Sequence, residues 1–377
     1  MPTTRDRLTQ WLPDFIRPLD NLSNSSINRG VSPSRQKSRG PAHEWEHLTD
    51  QQLLNVRLKD LNLTLNGTKV EARILEVLRQ LSSCGIRFRP TYWLAEDWFT
   101  PDGIPGFGIP FYLAHPRLIR LERAQMLEVE GGTKNWCQRI IRHEIGHALD
   151  NAYQLRRRRK RQRVFGRSST RYPDWYCPKP YSKSFVIHLD YWYAQSHPDE
   201  DFAETFAVWM AGSASWRRRY KGWPALEKLR YMDELMGEVK KQRPVNKSVR
   251  KIEPVNRLSR TLGEYYQEKR DRYLVDYPQF LDRDLKRLFD ADPEDKSLQT
   301  AVSFIRGARG SVRKEVARWT GIYQYTIDHV LEEMIDRFRN LNLRLEVRSD
   351  RTLVDFTVFL TVQTMNYLHN GRHRLAL

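Results

Sequence analysis

The sequence predicts an α+β fold, a mixed domain of short strands and packed helices followed by a mainly helical C-terminal domain. Three observations predict it. The turn-rich run Pro101-Asp102-Gly103-Ile104-Pro105-Gly106-Phe107-Gly108 leads into two short β-like segments, Ile109–His115 and Leu118–Glu122. Two segments, 133–152 and 196–210, carry apolar residues at helical spacing. After Val239 the chain turns basic from Lys240 to Arg260, with Pro244 and Pro254, and then reads as helix again.

A chain of 377 residues, 40% of them hydrophobic, is ample for one large domain or two ordinary ones. Residues 1–45 stand apart. Asn21 to Pro41 is rich in Ser, Asn, Arg and Pro, has little to bury, and is expected to lack structure. Arg5, Asp6, Arg7 and Asp14 interrupt any apolar core of a signal peptide, and no membrane span is expected, so the expected location is cytoplasmic. Cys84, Cys137 and Cys177 show no paired metal-ligand spacing and read as reduced thiols.

The mixed domain is expected over residues 46–240. Its first long helix is expected to start at Thr133, an N-cap after Gly131 and Gly132, and to bury Trp136, Ile140, Ile141, Ile145, Ala148, Leu149 and Ala152. It carries His143-Glu144-Ile145-Gly146-His147. Residues four apart share a helix face, so both imidazoles can meet one ion while Glu144 stands beside the open position as a base. A catalytic zinc takes three protein ligands and leaves the fourth position to water. A third histidine at position 153 is ruled out, because Tyr153 is there and Asp150 stands where that motif needs glycine.

The remaining donor is sought on the second helix, Ser196-His197-Pro198-Asp199-Glu200-Asp201-Phe202-Ala203-Glu204-Thr205-Phe206-Ala207-Val208-Trp209-Met210. Ser196 and Asp199 form an expected capping pair, Pro198 suits an early position, and the acidic first turn complements the helix dipole. Phe202, Phe206 and Trp209 make an apolar stripe that leaves Glu200 and Glu204 together on another face. Two imidazoles, one carboxylate and an open position favour one Zn2+. Asp150 reads either as a carboxylate steadying a ligand histidine or as a polar residue closing the helix.

The pattern His143-Glu144-Ile145-Gly146-His147-Ala148-Leu149-Asp150, followed by Pro198-Asp199-Glu200-Asp201-Phe202-Ala203-Glu204-Thr205-Phe206-Ala207, resembles the gluzincin metallopeptidases. It is similar to the anthrax lethal factor catalytic domain and the Mlc titration factor A peptidases, and looks closest to a bacterial group of zinc-binding metallopeptidases. The resemblance runs from Leu48 to Val239 and more loosely to the C-terminus. It implies a zincin-like domain, a small sheet plus active-site helices, in which Glu200 binds zinc and Glu204 orients a ligand histidine. An exchange of roles between those two carboxylates stays open. It also implies that Tyr193, at the matching offset before Glu200, stabilises the developing oxyanion; His188 and a purely packing role for the Tyr191-Trp192-Tyr193 cluster are the alternatives.

The mechanism expected from these parts is peptide hydrolysis, with Glu144 accepting a proton from a zinc-activated water and returning it to the leaving amine. A peptide substrate would lie extended along a sheet edge, with Ile109–His115 or Leu118–Glu122 as the candidate strand. The net charge of +18 is concentrated at Arg156–Arg163 and Arg217–Arg219. Those runs read either as a solvated basic face or as an attraction to nucleic acid or an acidic protein. Residues 241–260 are expected to be a basic linker or irregular connection into a helical domain over 261–377. There, Ala317, Gly321, Ile327 and Val330 have helix-turn-helix spacing, which would turn Arg318, Trp319, Tyr323, Gln324 and Tyr325 towards DNA; ordinary helical hairpins share that spacing. Two function classes follow: a zinc peptidase, or a basic DNA-associated or scaffolding protein whose zinc site is inactive or structural. Glu144 favours the first, because a structural zinc is closed by four ligands and needs no base.

Overall fold

The structure, a computed structural model, describes residues 43–173, 176, 178–179, 182–212, 215–273, 282–289, 297–345 and 350–369. The Ser- and Arg-rich segment up to residue 42 and Cys177 lie outside them. Residues 43–45 fall within the segment expected to lack structure. Trp45 is buried and its indole N–H donates to the Leu61 carbonyl at 3.1 Å, so residues 43–45 belong to the fold.

The first helices are α1 (Asp50–Leu54) and α2 (Lys69–Ser83), the latter capped by Thr68, whose hydroxyl accepts from Glu71 N at 3.1 Å. Strands β1 (Thr91–Ala95) and β2 (Gly106–Pro110) pair in parallel, Thr91 opposite Gly106 and Ala95 opposite Pro110. Gly106 is required there, since a Cβ would sit 2.3 Å from the Thr91 carbonyl oxygen. The β-like reading of Ile109–His115 and Leu118–Glu122 holds only for Ile109 and Pro110. Phe111–Ala114 is a 3-10 turn and Pro116–Met126 is helix α3. His115 caps α3 through Nδ1, Pro116 suits the first turn, and Leu118, Leu121, Glu122 and Met126 bury one helical face, which short-range alternation had imitated.

Helix α4 (Lys134–Tyr153) starts at Thr133 as expected, and α5 (Arg159–Phe165) follows it. Helices α6 (Pro198–Ala211), α7 (Ser215–Arg219), α8 (Ala225–Val239) and α9 (Leu262–Tyr273) complete the first half. One core joins Ile74 and Val77 of α2, Phe107 and Ile109 of β2, Leu118 and Leu121 of α3, Ile141 and Ile145 of α4, Phe202 and Phe206 of α6, and Leu229 and Met232 of α8. Leu262, Tyr265 and Tyr266 of α9 belong to the same core, so it runs past the boundary expected at 261.

Residues 241–260 form an irregular connection, and it is fastened to the mixed domain. Val245 and Asn246 N–H groups both donate to the Ala152 carbonyl at 2.9 Å, Asn246 Nδ2 donates to the Gly103 carbonyl, and Trp93 Nε1 donates to the Ile252 carbonyl at 2.8 Å. The segment lies back across the mixed domain, and Val255 is buried there. Its lysines and prolines had hidden that route, because they report solvation and turns but not which backbone accepts a bond.

The second core is helical, as expected. It is built by α10 (Asp282–Leu288), α11 (Ala301–Thr320), α12 (Gln324–Asn340) and α13 (Asp350–His369), with Phe289, Phe338 and Phe356 at its centre, and a two-residue antiparallel pair, β3 (Gln299–Thr300) with β4 (Arg344–Leu345). Gly321 (φ 76°) ends α11 where the spacing placed the turn. The residues meant to face DNA divide. Gln324 N donates to Glu128 Oε1 at 3.2 Å, Tyr323 packs against Tyr273 with the rings tilted and approaches Glu130, and Tyr325 packs against the first core; Trp319 is exposed. Among the described residues no helix is long and apolar enough to cross a membrane.

Candidate metal centre

The centre forms where α4 crosses α6. Gly146 makes the close approach possible, because its missing Cβ would lie 3.0 Å from the Ala203 Cα. Phe202, Phe206 and Trp209 are buried as the apolar stripe predicted, and this rotates Glu200 and Glu204 towards α4. The cap of α6 differs from expectation. His197 is the N-cap, its Nδ1 accepting from Asp199 N at 3.1 Å, while Ser196 Oγ donates backwards to the Tyr193 carbonyl at 2.8 Å. An imidazole nitrogen presents the same acceptor as a serine oxygen, one residue later in the chain.

Three donor atoms converge. His143 Nε2 lies 3.0 Å and His147 Nε2 3.1 Å from Glu200 Oε2, and the two nitrogens are 3.0 Å apart. Among the described residues this is the group of His, Cys, Asp or Glu side chains arranged to hold a metal. Donors bound to tetrahedral zinc at about 2.0–2.1 Å stand about 3.3 Å from one another, so the spacing and the N,N,O chemistry both fit. Two nitrogen lone pairs and a carboxylate oxygen this close repel unless a cation, proton or metal, lies between them. Burial opposes the charged form of both histidines. Bonds from Glu200 and Glu204 to His143, and from Glu200 to His147, outweigh it and hold both pKa values above the ordinary range. Glu200 feels burial in the opposite sense, yet the two imidazoles hold it well below the usual carboxylate value.

Behind the donors, His143 Nδ1 meets Glu204 Oε1 at 2.9 Å, and Glu204 Oε2 accepts from Leu189 N at 2.8 Å. Glu204 thus aims the Nε2 lone pair of His143 at the centre. Asp150 does not do the same for a ligand histidine. Its Oδ1 accepts from Arg156 N at 2.7 Å and its Oδ2 meets Arg161 Nη2 at 3.1 Å. Arg161 is fully buried and also holds Asp199, so Asp150 closes α4 and ties it to the first turn of α6. The basic run therefore divides: Arg156, in a 3-10 turn, and Arg161, in α5, turn towards Asp150, while Arg158 and Lys160 reach Glu238 and Glu234 of α8.

Glu144 is buried beside the donors and its Oε2 accepts from Thr100 Oγ1 at 2.8 Å. Burial raises its pKa against the pull of both histidines and of Thr100. Thr100 is held there by the next turns of α4. Asn151 lies on the same helix face as Glu144 and donates to the Pro101 and Ile104 carbonyls at 3.0 and 2.8 Å.

Tyr193 packs against His143, ring centroids 5.5 Å apart, following Trp192, whose backbone is left-handed (φ 53°). Burial and the charges of Glu200 and Glu144 push its hydroxyl well above the ordinary value, so it stays a hydrogen-bond donor. His188 lies near Glu204 but is committed to the backbone: its Nε2 donates to the Arg139 carbonyl at 3.0 Å, and burial lowers its pKa to about 4. Two residues that no motif pointed to complete the site: Thr100 reaches Glu144 and Tyr172 reaches Glu200 across long stretches of chain, while Arg161, which the sequence offered only as part of a charged run, turns out to be a buried tie between Asp150 and Asp199. No known protein family, curated protein or solved structure matches the chain, so the gluzincin resemblance remains one of motifs and the site stands on its own geometry.

Proposed function

We propose that this chain is a zinc-dependent metallopeptidase of the gluzincin kind, with His143, His147 and Glu200 as ligands and a zincin-like domain built around α4 and α6. The observation that carries the reading is the convergence of those three donors beside a buried carboxylate, Glu144, fastened by Thr100. His143, His147 and Glu200 would hold the ion, which would supply Lewis-acid chemistry, an acidified water with a pKa of about 7 and a polarised carbonyl. Glu144 accepts the proton of the attacking water and delivers it to the leaving amine. Tyr193 offers its hydroxyl hydrogen to the developing oxyanion, and Glu204 keeps His143 in the ligating tautomer. The setting we propose is cytoplasmic, on the strength of the unbridged thiols of Cys84 and Cys137.

The DNA-associated or scaffolding alternative has weaker support, because Tyr323, Gln324 and Tyr325, the turn residues it would use, are engaged against the mixed domain. The test is zinc content and cleavage of a diverse peptide library by the wild type and Glu144→Gln. Stoichiometric zinc in both, with turnover lower by roughly 10²–10⁴-fold in the variant, is expected. A wild type that retains zinc and cleaves nothing would defeat the peptidase assignment.

A further inference from the structure

Glu200 has two carboxylate oxygens, and only Oε2 faces the imidazoles. Oε1 accepts from the hydroxyl of Tyr172 at 2.9 Å. Tyr172 is 43% exposed, so its placement needs a cause other than burial. The cause is a strap, Gly166–Tyr172, fastened along the first turn of α6. Arg161 Nη1 donates to the Gly166 carbonyl at 3.3 Å and to Ser168 Oγ at 2.8 Å, and Ser168 Oγ donates to Asp199 Oδ1 at 2.6 Å. His197 Nε2 donates to the Thr170 carbonyl at 2.9 Å while its Nδ1 caps α6, so both ring nitrogens are committed and the ring is fixed. Tyr172 stacks on that fixed ring, centroids 3.6 Å apart and planes inclined by 15°. The stack sets the ring, and the ring sets the hydroxyl.

Resting on the metal reading above, we propose that Tyr172 is a positioning residue that holds Glu200 as a one-oxygen ligand. A carboxylate can bind a metal through one oxygen or both, and a second bond would occupy the position that a catalytic site leaves open. The hydroxyl hydrogen occupies one of the two Oε1 lone pairs and anchors that oxygen away from the imidazoles, which opposes rotation of the carboxylate into the two-oxygen mode. Outer partners of this kind typically alter metal affinity by about 10–100-fold when removed. Tyr172→Phe deletes only the hydroxyl and keeps the stack on His197, whereas Tyr172→Ala deletes both.

The full chain and both variants would be titrated with zinc against a competing chelator, and their cobalt-loaded forms read by visible absorption, which reports coordination number. Tyr172→Phe should raise the zinc Kd by about 10–100-fold, weaken the visible cobalt band as a fifth donor joins, and leave the melting temperature of the metal-free protein unchanged. A Tyr172→Phe chain with the wild-type Kd overturns the proposal. So does a raised Kd with an unchanged cobalt spectrum, since that pattern marks general loosening. Tyr172→Ala should lower the metal-free melting temperature as well, and equal melting of all three chains would overturn the role given to the stack. A wild type that binds neither metal overturns the metal reading itself, an outcome distinct from these.

Discussion

Replacing Gly146 by alanine separates the packing that brings α4 and α6 together from the chemistry of the donors. A Cβ at 146 would meet the Ala203 Cα at 3.0 Å, Phe206 Cδ1 at 3.1 Å and the Ala203 Cβ at 3.3 Å. Non-bonded carbons settle about 3.5–4.0 Å apart, so the backbone contact is short by about 0.5 Å or more. Phe206 can turn aside, but the Ala203 Cα can yield only if α6 moves. Glu200 lies one turn earlier on the same helix and moves with it, away from imidazole nitrogens now at 3.0 and 3.1 Å. Metal sites tolerate ligand distances within about 0.2 Å, so that displacement should raise the zinc Kd about tenfold or more, some 1.4 kcal/mol. Stability moves less. Alanine is favoured over glycine in a helix by about 0.8–1.0 kcal/mol and overpacking costs about 1–3 kcal/mol, leaving a net loss between zero and about 2 kcal/mol. Chelator competition gives the Kd and urea unfolding of the metal-free protein gives the stability. A Gly146→Ala chain that binds zinc like the wild type and unfolds later would refute the idea that this crossing sets the donor spacing.

Glu204→Ala strands both His143 Nδ1 and Leu189 N, and should weaken zinc binding about 10–100-fold by calorimetric titration. Thr100→Val should leave zinc bound but lower kcat by roughly 10–100-fold, because a hydrogen bond to a charged group is worth about 1.5–3 kcal/mol; unchanged kcat would remove Thr100 from the machinery. Arg161→Met removes the buried guanidinium that Asp150 and Asp199 share and should cost about 3–5 kcal/mol in urea unfolding. Burial raises Glu128 and Glu130 from 4.5 to about 7, and a carboxylate whose pKa is higher folded than unfolded stabilises the fold while protonated. That stability is complete below the unfolded pKa and is lost as pH rises through 7, by at most about 3 kcal/mol per group and less for side chains still partly wetted. Glu128→Gln with Glu130→Gln should therefore flatten the fall in melting temperature between pH 5 and 8, and an unaltered slope would contradict this.

Residues whose partners lie within one helix were legible from the chain. The i, i+4 offset puts His143 beside His147 and Glu200 beside Glu204 whatever the rest of the protein does, and Thr133, Pro198 and Gly321 mark helix ends through local backbone chemistry. Asp150 shows where that logic stops. It shares a face with His143, but a carboxylate takes the strongest donor in reach, and Arg161, placed by α5, is nearer than any imidazole. The strand reading failed for a related reason. Leu118–Glu122 alternates over too few residues to separate a period of 2 from one of 3.6, and only the cap formed by His115 and Pro116 decides it. Thr100 and Tyr172 are ordinary loop residues in sequence. Each gains its role from a separate fastening, Asn151 for the Thr100 loop and His197 for the Tyr172 strap, and both fastenings are polar side chains on or at the ends of the two helices that carry the metal donors. The helices therefore supply the donors through their periodicity and recruit the surrounding loops through the side chains their periodicity leaves over, which is why the donors could be read from spacing and the loops could not.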